Sequence, residues 1–95
     1  VGGAVADAIG QRLKRLAGKV QVLSVTHAPQ VAARADQHLL IAKNENGGRM
    51  ATSVAHMDSA ERQEEIARML AGASITAEAR AAAERLLREN AAFSV

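Results

Sequence analysis

Residues 20–36 read VQVLSVTHAPQVAARAD and join an apolar run to a Thr-His pair and a proline. Four of the six residues from 20 to 25 are Val or Leu, which is too dense for a half-exposed strand, and the run is shorter than a typical helix. We therefore predict a buried parallel strand. Pro29 suits the first turn of a helix, where a missing N–H costs nothing, so a short helix is predicted over residues 29–35.

His27 falls at the predicted carboxyl end of this strand, in the turn before the helix. Ligands bind at that edge of open α/β sheets, and a neutral imidazole can exchange a hydrogen bond with water or a phosphate oxygen. A hydrogen bond within the turn would satisfy the same side chain, so the residues alone leave both roles open. Thr26 and Gln30 flank His27 and could orient it, although both are ordinary residues for such a turn.

A longer pattern around His27, Thr-His-x-Pro-Gln-Val-Ala-x-x-Ala-Asp within residues 22–36, resembles the C-terminal part of RecN. RecN is a family of bacterial DNA-repair ATPases related to the SMC and ABC-type ATPases. Residues 1–4 resemble the segment just after that family's Walker B acidic pair, and residues 64–72 with Ile75 and Thr76 resemble its C-terminal helices. The resemblance therefore covers nearly the whole chain.

This resemblance implies an α/β fold, the C-terminal half of a P-loop (ABC/SMC-type) ATPase head that dimerises around ATP and Mg²⁺. It implies that His27 is the switch histidine near the γ-phosphate, that Gly2 and Gly3 end the D-loop, and that Gln30 belongs to the nucleotide site. The whole protein would repair and recombine DNA at double-strand breaks, in the bacterial cytoplasm with the nucleoid. Its partners would be the rest of the head, a second head and DNA.

Two ATPase motifs are absent from the sequence. No Gly-x-x-x-x-Gly-Lys-[Ser/Thr] phosphate loop occurs, and no apolar strand ends in Asp-Glu to supply a Mg²⁺ ligand and a base. Gly47-Gly48 precede a polar strand without a following Lys, which favours a hairpin turn over a phosphate loop. We expect the missing motifs to precede Val1, and residues 1–95 alone to be an inactive single segment that binds no cofactor.

The composition limits the core that the chain can build. Hydrophobic residues make up 48% of the 95 residues, but 22 of the 95 are Ala and Phe93 is the one aromatic residue. A chain this short already buries only a modest fraction of its surface. We therefore expect an incomplete domain that leans on a partner surface and self-associates through exposed sheet edges and apolar faces.

The charge and cysteine content exclude little. The net charge of +2 does not by itself predict nucleic-acid binding. The absence of Cys excludes disulfides and fits a reducing compartment. Nothing resembles a signal peptide or a membrane span, so a cytoplasmic protein without a membrane partner is expected.

The remaining elements follow from local signals. The apolar spacing from Ala4 predicts a helix that Gly18 ends, residues 39–41 and 49–55 predict a hairpin around an Asn-Gly-Gly turn, and two helices follow. Their predicted caps are Asp58, in a capping box with Glu61, and Thr76. The predicted order is α-β-α-β-β-α-α, without repeats or linkers.

The sequence also bears on functions other than an ATPase head. Gaps of 11 and 18 residues between His27, His38 and His56 match no compact metal-ligand pattern, so no metal site is predicted. A non-catalytic interaction module that presents Ile66, Leu86 and Leu87 remains open, as does the tail of another SMC-like or ABC-type ATPase. The basic residues of the first helix favour a solvated face over phosphate contacts; they are Arg12, Arg15 and Lys19.

Overall fold

Four helices and one antiparallel hairpin make up residues 2–92, the part of the chain that the computed structural model describes. The elements, in chain order, are α1 (Gly3–Ala17), α2 (Pro29–Ala32), β1 (Leu39–Asn46), β2 (Arg49–His56), α3 (Ser59–Ala71) and α4 (Ala77–Ala92). The fold combines α and β elements as predicted, but the order is α-α-β-β-α-α. The larger P-loop architecture stays a prediction.

The prediction of a buried parallel strand at residues 20–25 is wrong for this structure. Residues 21–28 have no regular secondary structure, and the side chains of Leu23 and Val25 are 85% and 89% exposed. A buried parallel strand needs hydrogen-bonding neighbours on both sides, and within residues 2–92 the sheet contains β1 and β2 alone. Within residues 2–92, the apolar run at residues 20–25 therefore has no neighbouring strands to pair with.

The hairpin confirms the prediction from the Asn-Gly-Gly turn and is longer than predicted. Asn46 pairs with Arg49 at the turn and Leu39 pairs with His56 at the open end. Gly47 and Gly48 form the two-residue connection with φ angles of 61° and 82°. A two-residue turn with both angles positive matches the right-handed twist of the strands and favours glycine.

Local caps set the ends of the C-terminal helices as predicted. The Asp58 carboxylate accepts a hydrogen bond from the Glu61 N–H at 2.8 Å, and the Glu61 carboxylate accepts one from the Asp58 N–H at 3.1 Å. Gly72, with φ at 82°, ends α3. Thr76 Oγ1 accepts a hydrogen bond from the Ala79 N–H at 3.1 Å in the first turn of α4. These bonds satisfy backbone groups that a helix leaves unpaired at its ends.

The buried core is small and consists mainly of alanine. Ile66 is the one large side chain among the described residues that is fully buried. The rest of the core cluster comes from α3, α4 and the α2 end, namely Ala32, Ala33, Ala67, Ala79 and Ala83. The radius of gyration is 14.2 Å, whereas a compact domain of this length would have one of about 12 Å. This difference agrees with the predicted thin core.

The residues proposed above for a non-catalytic interaction module are largely buried within this chain. Ile66 is fully buried, and Leu86 and Leu87 are partly buried against the core cluster. These side chains hold α4 against α3, so Ile66 in particular cannot be presented to another chain. Arg88 and Glu84 form an ion pair on the exposed side of α4, at 3.0 Å. No helix within residues 2–92 has the length and apolar character needed to cross a membrane.

Truncating Ile66 tests whether this core is the main apolar support. Ile66→Ala removes a fully buried branched side chain, and such changes cost about 2–5 kcal/mol of unfolding free energy, so we expect about 3 kcal/mol here. Urea unfolding followed by circular dichroism measures the change. Leu70→Ala is the matched control on the same helix, and it should cost no more than about 1 kcal/mol because Leu70 is exposed. Equal losses in both variants would contradict this assignment of the core.

Candidate functional site

The turn that carries His27 is shaped by its neighbours Thr26 and Pro29. Thr26 Oγ1 accepts a hydrogen bond from the Ala28 N–H at 2.9 Å, a bond that spans His27. Pro29 occupies the first turn of α2, as predicted, and the Ala28 carbonyl accepts hydrogen bonds from the first helical amides. The His27 side chain is exposed. The imidazole is therefore held on a defined turn and remains accessible to a ligand.

Helix α2 has only four residues and packs closely on α1 at Gly10. A Cβ atom at Gly10 would lie 2.9 Å from the Gln30 carbonyl oxygen and 3.4 Å from Val31 Cα. Real Cβ atoms do not approach backbone oxygens this closely, so the helices could not keep this distance with any larger residue at position 10. The close approach places the start of α2 directly against the middle of α1.

An ion pair closes the same interface. Arg34, just beyond α2, is 6% exposed, and its guanidinium donates a hydrogen bond to the Asp7 carboxylate at 3.0 Å. The second Asp7 oxygen accepts a hydrogen bond from the Gln11 side chain at 2.9 Å. A buried arginine needs such partners because desolvation of its charge is costly. Asp7 therefore compensates a charge that the packing of α2 on α1 buries.

Two of the predicted site residues meet at the start of α1. A Cβ atom at Gly3 would lie 3.5 Å from the Gln30 side-chain nitrogen, an ordinary contact distance. Gln30 itself follows Pro29 in the first turn of α2. Gly2 precedes α1 with extended backbone, and no described atom lies within 4 Å of the Cβ it lacks. The structure thus brings Gly3 close to Gln30, and Gln30 lies three residues after His27.

The other end of α2 is bound by Arg62 of α3. The Arg62 guanidinium donates hydrogen bonds to the carbonyl oxygens of Ala32, Ala33 and Ala35, at 3.0, 3.2 and 2.5 Å. These carbonyls lie at and just beyond the C-terminal end of α2, where helical acceptors lack partners within the helix. A cation there also interacts favourably with the helix dipole. Arg62 therefore caps α2 from a different helix.

A cleft of about 320 Å³ lies between the base of the hairpin and the start of α3. Its lining includes His38, His56, Asp58 and Arg62, and does not include His27. The structure thus places two of the three histidines on one cleft and the third elsewhere. Among the described residues, no three His, Cys, Asp or Glu side chains are grouped so that they could hold a metal ion.

The environment of His38 favours its neutral form. Burial lowers the pKa of His38 below its ordinary value of 6.5, the charge of Arg62 lowers it further, and Glu65 opposes both effects. The buried Nδ1 atom has no hydrogen-bond partner among the described residues. The folded chain therefore does little to stabilise the protonated imidazole.

This environment predicts a pH dependence of stability. Because the pKa of His38 is lower in the folded chain than the unfolded value of 6.5, the unfolded chain binds the proton first as the pH falls. The contribution of His38 to the free energy of unfolding is fully present above pH 6.5 and is lost as the pH falls below that value. Urea unfolding at a series of pH values through this range should show the loss, and His38→Gln should reduce it. An unchanged pH dependence in that variant would contradict the assignment.

The basic residues of α1 share one exposed groove, as their spacing predicts. Arg12, Arg15 and Lys19 line it together with Leu16. Lys14 lies elsewhere on the helix and pairs with Asp36 at 3.2 Å. The groove carries no feature beyond its charge that identifies a ligand.

The sequence did not identify the residues that hold α2 in place. Gly10 carried a weak signal, since an isolated glycine within a helix costs stability and indicates close packing when retained. Asp7, Arg34 and Arg62 carried none, because their partners are distant in the sequence. Arg34 pairs across 27 residues, and Arg62 binds carbonyl groups 27 to 30 residues away.

Curated proteins similar to this chain carry the name DNA repair protein RecN. A protein named DNA repair protein RecN from Xylella fastidiosa is 51% identical over 89 residues, which cover 94% of this chain. Proteins of the same name from Rickettsia felis and Streptomyces coelicolor are 46% and 49% identical over 87 residues, or 92% of the chain. The chain spans 15 to 16% of the length of these three relatives. No family model matches the chain.

Proposed function

We propose that this chain, a homologue of a C-terminal segment of DNA repair protein RecN, contributes the switch-histidine turn to an ATPase head. The whole protein would bind and hydrolyse ATP with Mg²⁺ and act in DNA double-strand break repair and recombination. Its head would have the P-loop (ABC/SMC-type) fold and would pair with a second head. DNA would be contacted by the whole protein.

The exposed imidazole of His27 is the observation that supports this role most directly. It lies on a turn held by the Thr26–Ala28 hydrogen bond, immediately before α2. An imidazole in this position can donate a hydrogen bond to a γ-phosphate oxygen or orient the attacking water. A histidine with only a structural role would be expected to bury its ring or bond within the turn.

The exposed apolar segment before His27 also supports an incomplete head. Leu23 and Val25 are almost fully exposed although their sequence is typical of a buried strand. In an intact head, strands from the rest of the protein would pair with residues 20–25. His27 would then lie at the carboxyl edge of a sheet, where ligands bind in open α/β folds.

Gly2 and Gly3, at the start of α1, fit a close approach by another chain. Gly2 and Gly3 have no positive φ angle, and no described atom crowds Gly2. Neither the backbone conformation nor the packing of residues 2–92 therefore requires glycine at Gly2. A second head passing close to the backbone would supply a reason for small residues there. Gln30, next to Gly3, would face the same region and contribute a polar contact to the nucleotide site.

Substitution of His27 in a full-length protein that carries this segment tests the proposal. Loss of one positioned polar group costs about 1.4 to 4 kcal/mol of transition-state stabilisation, so His27→Ala should lower the ATPase kcat by about ten- to a thousandfold. The KM for ATP should change little, because most binding contacts would come from the phosphate loop. Steady-state phosphate release over a range of ATP concentrations separates kcat from KM.

His56→Ala is the matched control, since it truncates another exposed histidine of the same segment that does not belong to this turn. Its kcat should stay within about twofold of the starting protein. The unfolding midpoint of each variant shows whether the protein remains folded. A folded His27→Ala variant with unchanged kcat would overturn the proposed role of His27.

A further inference from the structure

We infer that Asp7, Gly10 and Arg34 are positioning residues for His27, because they fix the turn before α2 to helix α1. This inference rests on the proposed function and adds residues that do not touch the nucleotide. It also predicts that the glycines at the start of α1 and the histidine before α2 keep a fixed distance and orientation to each other during turnover. The contacts between α1 and α2 carry the argument.

Helix α2 cannot hold His27 in place without outside support. Four residues form little more than one helical turn, and isolated helices shorter than about 12 residues are marginal in water. The preceding residues 21–28 have no regular secondary structure in this chain. The position of the turn therefore depends on what the short helix packs against.

Gly10 sets the distance between α1 and α2. Its missing Cβ would lie 2.9 Å from the carbonyl oxygen of Gln30, which is backbone and cannot rotate away. The same Cβ would meet Arg34 Cγ at 2.9 Å. An alanine at this position must move the first turn of α2 away from α1, and Gln30 would move away from Gly3 with it.

The Asp7–Arg34 ion pair sets the orientation of the same two helices. Arg34 follows α2 and is 6% exposed, and its guanidinium bonds to Asp7 at 3.0 Å. Asp7 lies one turn before Gly10, so the ion pair and the close helix contact are adjacent on α1. Removal of the Asp7 carboxylate would weaken the compensation of the buried Arg34 charge, and α2 would shift so that water reaches the guanidinium.

A charge-reversal cycle in a full-length protein that carries this segment tests the inference. Asp7→Arg and Arg34→Asp each replace attraction with repulsion, so each should lower the ATPase kcat by about tenfold or more. The KM for ATP should stay within about threefold, since neither residue contacts the nucleotide. The double variant restores an opposite-charge pair and should recover kcat to within about threefold of the starting value.

Two controls match these changes in charge and position. Ala8→Arg places the same side chain on an exposed neighbouring position of α1, and Arg12→Asp reverses an exposed charge on the same helix. Both should leave kcat within about twofold. Gly10→Ala tests the close contact independently of charge and should lower kcat by at least about threefold.

A second measurement does not depend on catalysis. Hydrogen exchange without nucleotide should show loss of protection at the Ala32 and Ala33 amides, which bond to the Ala28 and Pro29 carbonyls, in each single charge variant. Protection should return in the double variant, while the amides of α4 remain protected throughout. If a reversal prevents folding, Asp7→Asn removes the charge with little change in shape and is measured in its place.

The outcomes separate this inference from the proposed function. If His27→Ala lowers kcat and the single charge variants are folded but fully active, the positioning role is wrong and the role of His27 stands. If the double variant is no more active than the single ones and shows no restored protection, the ion pair is not the cause of the losses, and the inference fails. If His27→Ala has no effect, the proposed function fails first.

Discussion

The bonds from Arg62 to the C-terminal carbonyls of α2 are the constraint on which the rest of the structure depends. They join a helix of four residues to α3, while Gly10 and the Asp7–Arg34 pair join the same helix to α1. Helix α2 therefore links α1 to the α3–α4 pair. A guanidinium is suited to this task because it can donate hydrogen bonds to several carbonyl oxygens at once.

This polar attachment compensates for a core that is mostly alanine. Ala32 and Ala33 allow α2 to approach Ile66 and Ala67 closely, but small side chains bury little apolar area. Larger apolar side chains are left outside the core, on residues 20–25 and on the hairpin, where Ile41 and Val54 are more than half exposed. The same composition that makes close helix contacts possible thus leaves large apolar side chains exposed on the surface of this segment.

Features that depend on neighbouring residues could be predicted from the sequence, whereas distant contacts could not. Pro29, the Asp58–Glu61 capping box and the Gly47–Gly48 turn act within a few residues, and each prediction is confirmed. The strand prediction at residues 20–25 was wrong because strand formation depends on pairing partners as well as on apolar residues. The place of His27 before Pro29 predicts a site, and its exposure agrees with that prediction, but its catalytic role is a proposal. Arg34 and Arg62 have no local signature.

Removal of the Arg62 guanidinium tests most directly whether contacts from α3 hold α2 in place. Arg62→Met keeps an apolar stem of similar length and removes the guanidinium that donates hydrogen bonds to the carbonyls of Ala32, Ala33 and Ala35. Hydrogen bonds to charged groups contribute about 1.5–3 kcal/mol, so urea unfolding should show a loss of at least about 2 kcal/mol in this chain. A loss below about 0.5 kcal/mol would show that α2 keeps its position without Arg62, and would contradict this account.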